Sequence, residues 1–298
     1  MVLASAVTIS SKAVIVKLAY AYHINAEALI ALRMLIAAPF FLGLTIWAFT
    51  RARAQAVEMV RADIWMFLLV GVIGGYGSMW MDFAGLQYVS AGLERIILFL
   101  YPTMVVLISA WMFGRRIGKR EVFSLVFSYL GVGLVVGHDI GVLKAGAHET
   151  ALGAMLVLAS SILYAGYFVL SDQLIKRYGA SLFTGCVMLA ATVASGLHYV
   201  VSSQNLGLIF HQPVEVYWLS LLMALVATVL PIILMSQGIK RLGSSQSSLI
   251  SSIGPVSTIF LAYIFLGEAI TWLQLLGTAL VLVGVMAITL KPKVETVV

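Results

Sequence analysis

Apolar runs of about twenty residues, each long enough to carry a helix across a hydrocarbon layer roughly 30 Å thick, recur from one end of this sequence to the other. Ten can be read, at 2–21, 27–49, 64–87, 92–113, 120–138, 151–171, 180–201, 216–238, 246–266 and 270–290. Only 10% of the residues are charged, against about 25% in a soluble domain, so a charged shell around a water-soluble core cannot be assembled. Lipid offers backbone groups no hydrogen-bond partner, and the alternation of barrel strands is missing. The expected fold is an all-α polytopic membrane protein of ten transmembrane helices. Lys12 and Lys17 interrupt the first run, unlike the core of a signal peptide. One cysteine, Cys186, excludes an intrachain disulfide and any cysteine-cluster metal site.

The joints sort by charge. Arg51, Arg53, Arg61, Arg115, Arg116, Lys119, Arg120, Lys176, Arg177, Lys240, Arg241, Lys291 and Lys293 all fall on one side of a ten-span topology, thirteen of the eighteen basic residues. The opposite joints contribute only Lys144. Basic joints stay in the cytoplasm, so both termini are expected there, in a multi-pass protein of the inner (plasma) membrane. The same bias accounts for the pI of about 9.4 without nucleic acid.

The chain also resembles itself. A shift of 153 residues lays "GLQYVSAGLERIILFLYPTMVVLISAWMFG" (85–114) on "GIKRLGSSQSSLISSIGPVSTIFLAYIFLG" (238–267), and a shift of 155 lays "VLAS" at 2–5 on "VLAS" at 157–160. The expected organisation is a five-helix repeat at 1–138, an extracytoplasmic connection at 139–150 and a second repeat at 151–298. Five is odd, so the halves must cross the membrane in opposite senses, as in many carriers. The serine-rich start of the ninth run then reads as helix. Pro102 and Pro255 each remove an amide hydrogen and free the carbonyl one turn earlier, Leu98 and Ser251. Hydroxyls such as Ser251 and Ser252 can satisfy those carbonyls or line a wet path; close helix packing explains the same serines.

On "ISSKAVIVKLAY" (9–20) with "ALRMLIAAPFFL" (31–42), the two "G…YP/GP" helices, and the helices "FGRRIGKREVFSLVFSYLGVG" (113–133) and "LGEAITWLQLLGTALVLVG" (266–284), the chain resembles the drug/metabolite transporter superfamily, specifically its EamA-type ten-helix members. The first helix carries "ISSK" where that family has a Trp-Gly-Ser-Asn type pattern, which puts Lys12 at a usually neutral position. The resemblance implies a secondary carrier, often an exporter of amino acids or related metabolites, with a cavity between the halves. Carriage of drugs or nucleobases is the alternative within that class.

Charges inside spans are costly and are paired or functional. Lys17, Arg33, Asp82, Glu94 and Arg95 fall in the outer third of their spans, where they are expected to form an ion-pair network, either structural or a gate. Lys12 sits near the midplane on a stripe with Ser5 and Thr8, too deep to snorkel easily, and is expected to face solute or cavity water. Tyr76 and Trp80 recur at helical spacing on the third span, and Tyr101, Tyr164 and Tyr167 add polar aromatics at middle depth. With Ser251 and Ser252 they complete the expected substrate-binding set.

Enzyme motifs are missing: there is no HExxH, no GxSxG and no poised acidic pair, and the five histidines are scattered. Lys12 beside serines could imitate a Ser-Lys dyad, which keeps an intramembrane enzyme as the rival, and a channel or scaffold is a third option. A small-molecule solute and membrane lipids are the expected partners, with a coupling proton left open. No cofactor, metal or nucleic acid is expected.

Overall fold

With both faces of nearly every run apolar, the backbone must satisfy its own hydrogen bonds, and it does so as helix. The computed structural model describes residues 1–54, 61–114, 116–142, 147–203, 206–231, 234–235, 250 and 253–289, and contains no strand among them. In chain order the helices are α1 (Val2–Tyr20), α2 (Ala26–Ala54), α3 (Arg61–Leu69), α4 (Ser78–Leu86), α5 (Ala91–Leu98), α6 (Tyr101–Phe113), α7 (Lys119–Val142), α8 (Ala147–Tyr178), α9 (Ala180–Ser202), α10 (Val214–Ala224), α11 (Gly254–Leu266) and α12 (Trp272–Thr289). Seven described stretches are long and apolar enough to cross a membrane, and Val214–Val229, Gly254–Leu266 and Trp272–Ala287 are shorter apolar helices. The serine-rich start of the ninth run, with Ser251 and Ser252, lies outside the described residues, as do Arg115, Lys144, Lys240, Arg241, Lys291 and Lys293.

The connection expected at 139–150 is mostly helix. α7 continues to Val142 and α8 begins at Ala147. Polar side chains there ended the apolar text, but polar side chains do not by themselves stop a helix.

Two spans depart from α-geometry at corresponding places. A π-helical stretch, Val70–Gly77, joins α3 to α4, and another, Leu225–Val229, follows α10. The first is glycine-rich because helices press on it from both sides. A Cβ at Gly71 would lie 2.6 Å from that of Ala190 on α9, and one at Gly74 would lie 2.7 Å from that of Tyr167 on α8. In the second, Thr228 Oγ1 donates to the Met223 carbonyl five residues back, at 3.0 Å. Each π stretch is followed by the same latch. Ser160 donates to the carbonyl of Ser78 at 2.7 Å, and Ser5 donates to that of Pro231 at 2.8 Å. Ser5 and Ser160 are the serines of the two "VLAS" strings.

Other features recur at the same shift. Proline occupies the first turn of both α6 and α11, and both end on a left-handed glycine, Gly114 (φ 62°) and Gly267 (φ 67°). α1 packs on α10, the π stretch after it and α11; α8 packs on α4, the π stretch before it, α5 and α6. α7 and α12 approach closely, since a Cβ on Gly131 would lie 2.6 Å from the Gly277 carbonyl and one on Gly284 2.8 Å from that of Ser124. Small residues allow such backbone approach where no hydrophobic force acts between helices.

Candidate functional site

The span holding Glu94, Arg95 and Tyr101 is broken in the middle. α5 stops at Leu98, two residues turn, and α6 starts at Tyr101. Pro102 cannot bond to the Leu98 carbonyl, and Ser161 of α8 donates to it at 3.4 Å. The start of α5 is capped twice. Ser90 Oγ accepts from the Leu93 amide at 3.0 Å, and the Glu268 carboxylate, at the end of the "LGE" string, accepts from Ala91 at 3.0 Å and Gly92 at 3.4 Å. A carboxylate at a helix N-terminus complements its dipole, and here it ties distant parts of the chain together.

At the centre of the charged group stands Lys12. Its Nζ donates to Asp82 Oδ2 at 2.5 Å and to Glu94 Oε1 at 3.3 Å, with side-chain exposures of 15% for Lys12, 4% for Asp82 and 0% for Glu94. The separation of Lys12 from the outer charges, expected from its midplane depth, does not hold. A lysine stem is more than a helical turn long, so depth of the backbone does not fix depth of the ammonium. The clamp joins α1, α4 and α5.

The expected five-charge network instead divides. Arg33 reaches from α2 into the second π stretch, donating from Nε at 3.1 Å and Nη2 at 2.8 Å to Thr228 Oγ1, with its guanidinium 5.7 Å from the Phe83 ring centre. Asp82 acts on it only at Coulombic range. Lys17 has Glu268 within Coulombic range. Arg95 lies within Coulombic range of Glu94 but has neither ion pair nor hydrogen bond among the described residues, and its Nε is buried without an acceptor. Asp82 Oδ1 and Glu94 Oε2 are likewise buried without a donor.

The five expected binding aromatics form two groups. Tyr101, Tyr164 and Tyr167 gather around Phe168, with Tyr101 stacked on it at 5.3 Å and Tyr164 edge-on at 5.0 Å. Tyr101 and Tyr164 rings also meet at 5.2 Å. Tyr76 and Trp80 form the other group, joined by His198, which hydrogen-bonds the Tyr76 hydroxyl and sits 5.5 Å from the Trp80 ring. Trp80 Nε1 donates to Glu27 at 3.0 Å. His198 looked like one of several scattered histidines, and only a helix packing angle could have shown its partners. An apolar groove of about 650 Å³ between α3 and α9 has no charged residue in its lining, which includes Phe67, Val72, Cys186 and Leu197; its chemistry suits an acyl chain rather than a polar solute.

Comparison with known proteins places this geometry. The profile of the EamA-like transporter family matches residues 1–137 and again 151–290. The chain belongs to the EamA-like transporter family. It is similar to the uncharacterized transporter YcbK of Bacillus subtilis (strain 168), 32% identical over 276 residues that cover 91% of this chain and 86% of that one. It is also similar to the uncharacterized inner membrane transporter YicL of Salmonella typhimurium, 23% identical over 84% of this chain and 82% of that one. Mouse solute carrier family 35 member F2 is 27% identical over 158 residues, 52% of this chain and 41% of its own length. One solved crystal structure shares the fold, with a TM-score of 0.58 at 17% identity, covering 95% of this chain and 93% of that one. This EamA-family protein is thus a membrane transporter of the drug/metabolite transporter type.

Proposed function

We propose that this EamA-family transporter is a secondary carrier that exports amino acids or related small metabolites across the inner (plasma) membrane by alternating access, and is not an enzyme. In this reading ten helices form two inverted five-helix repeats, 1–138 and 151–298, with both termini cytoplasmic. Contacts between helix ends support it. Arg177 Nη1 and the Tyr178 hydroxyl both donate to Asp63, at 2.8 and 2.6 Å, between joints read as cytoplasmic. Glu268 binds Ala91 and Gly92 between joints read as external.

The observation that carries the reading is the Lys12–Asp82–Glu94 clamp. It closes α1, α4 and α5 on one another in the outer half of the membrane, and buried ion pairs that can be exchanged for water are what a gate requires. Reconstituted protein should move at least one member of an amino-acid panel, and Glu94→Gln should raise the population open to the outside. Equal solute flux in protein-free and protein-containing liposomes across the panel would remove the carrier reading. Unchanged outer accessibility in Glu94→Gln would leave the clamp a structural brace.

A further inference from the structure

Around the clamp, the described charges do not cancel. Asp82 and Glu94 supply two negative charges; Lys12 binds both, Arg33 lies within Coulombic range of Asp82 and Arg95 within Coulombic range of Glu94. Three cations thus face two carboxylates, and Arg95, which is half-buried, has a buried Nε with no acceptor. A guanidinium nitrogen shut away from water without an acceptor is costly to keep, and a carboxylate arriving from outside the protein would satisfy it.

Its neighbourhood is built for an anion. Arg95 stands on the last full turn of α5, beside the break, and its guanidinium lies against Gly254: a Cβ there would be 2.8 Å from Nη2 and 3.5 Å from Ser10 Oγ. Gly254 opens α11, a thirteen-residue helix, so the guanidinium stands beside the positive end of a helix dipole. The Arg95 charge also reaches Tyr101 and Tyr164. Among the described residues neither of those hydroxyls has a protein hydrogen-bond partner.

We infer that Arg95, at the meeting point of the broken helix α5–α6 and the start of α11, receives the carboxylate of the transported solute, with the Tyr101 and Tyr164 hydroxyls as further hydrogen-bond partners. The inference rests on the carrier reading and assigns it a ligand chemistry. It moves the solute-facing positive charge from Lys12, whose ammonium is taken, to Arg95. A planar guanidinium suits the task because it grips both carboxylate oxygens at once. It also gives the solute a mechanical effect, since a bound carboxylate would draw α5 and α11 together.

The test is binding and transport of two acid–amide pairs, L-leucine with L-leucinamide and benzoate with benzamide, by purified wild-type protein, Arg95→Gln and Gly254→Ala. Wild type should prefer the acid of at least one pair by tenfold or more, and Arg95→Gln should abolish that preference while leaving the melting temperature within a few degrees. Gly254→Ala, whose methyl displaces the guanidinium, should reduce the preference in a folded protein. If Arg95→Gln does not fold, phenylglyoxal modification of Arg95 in wild type decides: protection by benzoate and not by benzamide supports the site, and equal or no protection overturns it. Equal binding of acids and amides by wild type, or an acid preference kept in Arg95→Gln, also overturns it. Transport of the amides with unaltered Arg95→Gln behaviour would leave the carrier standing without this site, whereas no flux of any solute would remove the carrier itself.

Discussion

At the scale of single residues, Lys12 shows why a buried charge must be judged by its partners. An unpaired lysine facing a wet cavity could be replaced by methionine with little loss of stability. A lysine holding Asp82 and Glu94 cannot, because its removal strands two carboxylates in low dielectric, and breaking such a pair costs about 3–5 kcal/mol. Lys12→Met should therefore lower the melting temperature more than Arg95→Gln does. Adding Glu94→Gln to Lys12→Met should recover part of the loss, since one stranded charge disappears. A double-mutant cycle followed by thermal unfolding in detergent checks both points; strictly additive losses would mean that Lys12 and Glu94 do not interact. Little of this pairing was legible in the sequence. Helical spacing places Lys12, Asp82 and Glu94 on three helices at estimated depths, but which ammonium reaches which carboxylate depends on helix rotation and stem direction. Ser5 and Ser160 were visible as repeated text, while their acceptors, the carbonyls of Pro231 and Ser78, carry no side-chain signal at all.

Among the elements, the two π stretches with their serine latches are the part that sequence patterning concealed. A π turn shifts the helical face by one residue, and that shift is readable only where one face is polar. Val70–Gly77 and Leu225–Val229 each carry one polar side chain, Tyr76 and Thr228, too few to mark a polar face whose period could break. The break between α5 and α6 was readable, because Pro102 announces it. π stretches often mark functional positions, and here each sits where a helix of one half leans on a helix of the other. Hydrogen bonds between membrane helices contribute about 0.6 kcal/mol on average, so Ser5→Ala and Ser160→Ala should each melt near wild type. Their effect should be on the conformational balance. Under the proposed topology Ser5–Pro231 lies toward the cytoplasm and Ser160–Ser78 toward the outside. Ser5→Ala is expected to raise cytoplasmic-side accessibility, and Ser160→Ala external accessibility, as measured by solvent-accessible cysteine labelling of cavity positions. Shifts in the same direction would show that the two latches are not opposed parts of one device. Packing makes a different demand at α7–α12: Gly277→Val would drive a branched side chain toward the Gly131 carbonyl, 2.7 Å from a Cβ, and should cost about 1–3 kcal/mol. Gly43→Ala, with nothing within 4 Å, is the neutral control in the same melting assay.

For the whole molecule, the sidedness of the charged joints and the lengths of the helices have to agree. α2 has 29 residues and α8 has 32, which at 1.5 Å per residue is about 43 and 48 Å, well beyond a hydrocarbon layer of roughly 30 Å. Their excess must project into water, and the basic residues Arg51, Arg53, Lys176 and Arg177 lie on those projecting ends. Basic ends left in the cytoplasm need no translocation, so both projections should be cytoplasmic, and that fixes the sense of α1 as well. The expectation can be read with single cysteines in a Cys186→Ser background: Val2→Cys and Thr296→Cys should react with a membrane-impermeant maleimide only after cells are permeabilised. Phe210→Cys, at a position 78% exposed after α9, should react in intact cells. Were Val2→Cys and Thr296→Cys to label from opposite sides, the number of crossings would be odd, and two inverted halves of five helices could not be the architecture. Were both to label from outside, the count would survive but the sense would reverse, and the Lys12–Asp82–Glu94 clamp would close the cytoplasmic mouth instead of the external one.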